Sequence, residues 1–144
     1  MKLVRAYLKI EIVWADSDML ELRLAASNES FAGEANFYAK LGEASIFAKQ
    51  IEGFPRTATD TREYKFGDTS MHGYGGATIR LHCIDHSGHL GVQVEVHKNS
   101  MRPKQVAQSA IVQLSTVPAE IDSFVEQLLR MKDEVGSVAT LQNS

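Results

Sequence analysis

The chain has 144 residues, of which 44% are hydrophobic and 23% charged, the usage of an ordinary globular domain. A domain of this length buries roughly 68–70% of the surface its unfolded chain exposes, so it needs no disulfide or metal staple. The formal charge of −3 lacks the basic excess of a phosphate-backbone binder, and no segment approaches the ~20 apolar residues of a membrane helix. The expectation is a protein that engages neither nucleic acid nor membrane.

In chain order, period-two alternation comes first. Leu8, Ile10, Ile12 and Trp14 alternate with Lys9, Glu11 and Val13, and Leu20, Leu22, Leu24 and Ala26 alternate with Glu21 and Arg23. Asp16-Ser17-Asp18 between them is turn chemistry, so a hairpin is predicted. After a second turn at Asn28-Glu29-Ser30, Phe31, Gly33, Ala35 and Phe37 continue as a third strand. Leu41, Ala44, Phe47, Ala48 and Ile51 then fall at helical spacing, with Gly53 as the stop. Arg62, Tyr64 and Phe66 suggest a fourth, less apolar strand towards an edge.

Residues 67–76 hold four glycines and read as a loop or a bulged strand entry. Ile79, Leu81 and Cys83 then share one strand face, with Arg80 and His82 on the other. Beyond Asp85-His86-Ser87-Gly88, Leu90, Val92, Val94 and Val96 face away from Gln93, Glu95 and His97. A two-residue loop sets Glu95 opposite Arg80, and a four-residue loop shifts the register by two with the same faces together. A three-residue loop would expose one apolar set and is disfavoured. Val106, Ala110, Val112 and Leu114 make a seventh strand. Pro118 opens a last helix with an apolar stripe of Ile121, Phe124, Val125, Leu128 and Leu129.

The predicted fold is α+β: an antiparallel, strongly twisted sheet of about seven strands, in the order three strands, helix, four strands, helix, with both amphipathic helices packed on it. Residues 1–136 form the domain and 137–144 a loose tail. The lone Cys83, which has no internal disulfide partner, and the absence of a signal-like apolar run near the N-terminus point to the cytoplasm.

No stretch spells out a reaction. All five histidines (His72, His82, His86, His89 and His97) lie within 26 residues, which invites a metal reading. Four strand residues span about 13 Å, however, so His82 and His86 cannot share an ion on an unbroken strand. Only His86 and His89, facing each other at a hairpin end, could chelate, and two ligands are too few. Cys83 falls on the inferred core face, where a thiol behaves as a small hydrophobe. The glycine-rich segment lacks the Lys-Ser/Thr ending of a phosphate loop. Trp14 and Tyr38 read as core or core-rim residues. No catalytic, cofactor or metal residue is therefore assigned. His72, Tyr74, Arg80, His82 and Glu95 are the candidate contact residues for a partner or ligand.

The passages IEIVWADSDMLELRLAASNESFAGEANFYAKLGE, IEGFPRTATDTREYKFG and RLHCIDHSGHLGVQVEV, with Phe37-Tyr38 and Gly53-Phe54-Pro55 as marks, resemble an uncharacterised bacterial domain family similar to WapI-type immunity proteins. The resemblance covers most of residues 10–130 and its marks are structural. It implies a non-catalytic binding protein whose partner is another protein, a toxin in the concrete case, with a homodimer through a strand edge as a further expectation. The alternative is a small-molecule-binding domain or an enzyme using residues 67–76 and the histidine-rich hairpin.

Overall fold

The computed structural model describes residues 6–68, 75–100 and 106–142; of the side chains, those at 99, 100 and 106 are not described. Three strands come first: β1 (Tyr7–Ala15), β2 (Met19–Ser27) and β3 (Ala32–Lys40). Helix α1 (Glu43–Ile51) separates them from β4 (Arg62–Asp68), β5 (Gly75–Cys83), β6 (Leu90–Ser100) and β7 (Val106–Thr116). Helix α2 (Pro118–Arg130) and β8 (Val138–Gln142) complete the order.

The α+β class and antiparallel pairing agree with the sequence reading, but the single seven-stranded sheet does not. Among the described residues, eight strands form two sheets of four, ordered β3-β2-β1-β8 and β4-β5-β6-β7. Alternation tells which face of a strand is buried and is silent on which strand bonds to which. The eighth strand lies in the segment expected to be a loose tail. Ala139 and Leu141 are buried there, and Tyr7 to Glu11 pair with Gln142 to Val138. Two inward side chains in five residues are too few to read as a strand.

The turns form as their chemistry demands. Asp16 Oδ1 accepts the backbone N–H groups of Asp18 and Met19 at 2.7 and 2.9 Å. Asn28 Oδ1 accepts those of Ser30 and Phe31, both at 2.8 Å. One strand breaks its pattern. A bulge between Ile12 and Trp14 sets Trp14 opposite Glu21 in place of the next core position, so Trp14 turns outward and is 42% exposed. Tyr38 also faces solvent, so neither aromatic is a core residue.

Strand β3 joins the two layers. It packs across β4, β5, β6 and β7 as well as pairing with β2. Such a crossing needs small residues. A Cβ on Gly33 would come within 2.8 Å of Val96 Cγ2 and 3.1 Å of Ala110 Cβ. A Cβ on Gly67, where φ is +64°, would lie 2.9 Å from Phe37 Cβ. The space between the sheets fills with aromatic rings. Phe47 of α1 lies 5.0 Å from Phe66, 5.1 Å from Tyr64 and 5.9 Å from Phe124 of α2, while Phe37 of β3 lies 5.4 Å from Phe66. One buried cluster thus draws on both sheets and both helices.

Two substitutions test this packing. Phe47→Ala is expected to cost about 3–5 kcal/mol by opening the ring cluster. Gly33→Val should cost about 1–3 kcal/mol by overpacking the crossing. Both are read from denaturant midpoints, and a neutral Gly33→Val would contradict the close approach.

Candidate functional site

Burial of alternate side chains leaves a polar outer face on each sheet; the outer face of the β4-β5-β6-β7 sheet is the one that carries the described sequence candidates. Period two places Glu63 and Lys65 of β4, Arg80 and His82 of β5, Gln93, Glu95 and His97 of β6, and Ile111 and Gln113 of β7 on this side. Their neighbours in sequence, including Phe66, Ile79, Leu81, Val92, Val94 and Val112, are buried beneath.

The β5–β6 hairpin uses the four-residue loop, residues 85–88. Ile84 N–H donates to the His89 carbonyl at 2.9 Å, and Ile79 faces Val94. Arg80 accordingly sits opposite Gln93, with Glu95 on the diagonal. It still reaches both flanking carboxylates: Nε donates to Glu63 Oε2 at 2.6 Å, and Nη1 to Glu95 Oε2 at 3.5 Å. The Glu63 bond is the main cause holding the Arg80 guanidinium above its ordinary pKa. Glu95 Oε1 also lies 3.4 Å from His97 Nε2. The His82 ring fills the space that a Cβ on the facing Gly91 would take. Three of the sequence candidates, Arg80, His82 and Glu95, therefore share one surface. His72 and Tyr74 lie outside the described residues.

Sequence reasoning missed Glu63, which needs the β4–β5 pairing to bring it to Arg80, and Ile111, an apolar group 53% exposed on β7. The alternation at 62–66 already marked Glu63 as outward, but the neighbour was unknown.

The histidine-rich hairpin is arranged locally. His89 Nδ1 lies 2.7 Å from Asp85 Oδ2, and Asp85 Oδ1 accepts the Ser87 N–H at 2.8 Å. The Ser87 bond first, and the His89 contact second, hold the Asp85 carboxyl below the usual carboxylate range. Cys83 is half-buried, with Sγ 3.7 Å from the Thr57 carbonyl oxygen. Among the described residues, no three His, Cys, Asp or Glu side chains gather where a metal ion could be held.

A second feature lies at the start of α1. Glu43 is buried, and its Oε2 has no hydrogen-bond partner. Burial first, and then the Glu43 charge and a hydrogen bond to it, push the Tyr64 phenol well above its ordinary value. Glu43, Lys40, Gly67 and Gly75 border a hollow of about 380 Å³.

The Asp60 carboxyl is also held low, mainly by Arg62, whose Nη2 is 2.9 Å from Asp60 Oδ2. A carboxylate with a lowered folded pKa stabilises the fold fully above its ordinary value of 3.8, and that stabilisation is lost as the pH falls through the lower folded value. Asp60→Asn should therefore flatten the loss of stability between about pH 5 and about pH 2, measured by denaturant titration across that range. An unchanged slope would contradict the Asp60–Arg62 clasp. Among the described residues, no helix is long and apolar enough to cross a membrane. No family model, curated protein or solved structure matches this chain.

Proposed function

We propose that this protein is a non-catalytic bacterial binding protein of the immunity type, which works in the cytoplasm by laying the outer face of the β4-β5-β6-β7 sheet on a protein partner, in the concrete case a toxin. The observation that carries this reading is the Arg80 fork, fixed between Glu63 and Glu95 in the interior of a four-stranded face. A guanidinium held by neighbours has already lost much of its rotamer freedom, so less is lost when its remaining donors meet a partner.

The area is of the right order. Four strands about 4.8 Å apart, each 7–11 residues long at about 3.3 Å per residue, offer a plan of roughly 20 Å by 30 Å. That is on the scale of the ~800 Å² which each partner contributes to a standard interface. The mixed charges are distributed over the face, which suits recognition by complementarity.

The alternative, a small-molecule site or enzyme, is supported by the hollow beside Glu43 and Gly67 and by the unpartnered Glu43 oxygen. The described ends of residues 67–76 lie far from the histidine hairpin. Gly75 and Cys83 mark opposite ends of β5, eight steps or about 26 Å apart.

The test is site-specific photocrosslinking in the source cell. Gln93→p-benzoylphenylalanine, at the centre of the face, should capture a partner, and Arg80→Ala in the same chain should abolish the adduct. Lys9→p-benzoylphenylalanine, on the other sheet, should capture none. An adduct from Lys9 alone, or one at Gln93 indifferent to Arg80→Ala, would overturn the reading.

A further inference from the structure

Four strands lie at sheet edges: β3, β8, β4 and β7. Exposed edges invite pairing, and proteins usually blunt them with charge, proline, bulges or short length. Strand β4 carries Arg62, Glu63, Lys65 and Asp68; β3 carries Glu34 and Lys40; β8 has only five residues. Strand β7 has none of these protections. Its eleven residues, VAQSAIVQLST, include no charged residue and no proline. Its register with β6 runs without a shift from Leu90 opposite Thr116 to Ser100 opposite Val106.

The backbone groups on its far side can be assigned. In an antiparallel strand the N–H and C=O of one residue point to the same side, and the side alternates. The Gln113 carbonyl is turned away from β6, because it accepts the Asn28 side-chain amide at 2.8 Å. The groups of Ala107, Ser109 and Ile111 share that side by the same alternation. Beyond them, the β2–β3 turn that carries Asn28 covers the edge at Gln113. Among the described residues, the open strip is therefore 107–111, with Ser109 at its midpoint.

We propose that this strip pairs with the same strip of a second copy, antiparallel about a two-fold axis at Ser109, to make one continuous eight-stranded sheet. In that register Ser109 faces its own copy and Ala107 faces Ile111, so three exchanged pairs give six hydrogen bonds. A second copy suits this strip because an uncharged strand meets no like charge in its own image. The pairing also covers apolar surface. Ile111 and Phe31, 53% and 68% exposed, border one hollow of about 450 Å³ at this edge. The pairing goes beyond the partner reading and stands on the edge geometry alone. It would set two Arg80 faces side by side.

The 144-residue chain tests it. Sedimentation equilibrium should give twice the 15.9 kDa of one chain. Ser109→Pro removes an N–H that points away from β6, so the ladder within the chain survives, and Ile111→Lys restores a charged edge. Each should return the protein to one chain per particle. In a Cys83→Ser background, Ser109→Cys places two thiols across the axis at a Cα separation of about 5.5 Å, within disulfide reach. Mild oxidation should link it fully and leave Gln113→Cys unlinked. A wild type that stays monomeric at every concentration overturns the proposal. So does a dimer that survives both edge variants, or equal linking of the two cysteine variants. Because the readout is mass and linkage, the result does not depend on whether a toxin or any other partner binds.

Discussion

The structure depends on the crossing of β3 over the second sheet. Paired on one side with β2, this strand runs across all four strands of the other layer, and it can do so because Gly33 and Gly67 leave no side chain in the way. The crossing brings Phe37 onto Phe66 and so ties the first sheet into the rings around Phe47. Burial of these large rings supplies the main driving force, at about 25 cal/mol per Å² of apolar area removed from water. Glycine in a strand ordinarily weakens it. Here that local cost is offset by the layer contact it permits.

The same packing decides what the surface can do. With one face of the β4-β5-β6-β7 sheet buried, its polar side chains stand on the other, spaced by the strand repeat. Each charge finds a neighbour in the plane: Arg80 with Glu63 and Glu95, and Glu95 with His97. Groups spread over a plane suit contact with another surface, whereas catalysis of a single bond asks them to converge on one point. The hollow at Glu43 and the histidine hairpin sit at the two ends of β5.

Much of the local structure was legible in the residues. Asp16 and Asn28 mark turns through their own side-chain oxygens, Gly53 ends α1 with φ of 74°, and Pro118 opens α2. The face assignment from Ile79 to Val96 needs only the period of the strand and the rule that apolar sets lie together. What escaped depends on contacts distant in sequence. The bulge that rotates Trp14 outward leaves no mark in the alternation. The division into two sheets follows from which edges pair. Strand β8 gains its stability from the β1 edge it meets. Of the candidate surface, Arg80, His82 and Glu95 were visible as outward residues, but Glu63 and Ile111 join them only through strand order.

If one crossing strand makes the two layers a single cooperative body, they must open together. Native-state hydrogen exchange measures this directly, residue by residue. The amides of Leu22 in β2 and Val94 in β6, each buried near the middle of its sheet, should share one opening free energy and one denaturant slope. Distinct free energies, with one sheet exchanging while the other stays protected, would contradict the account.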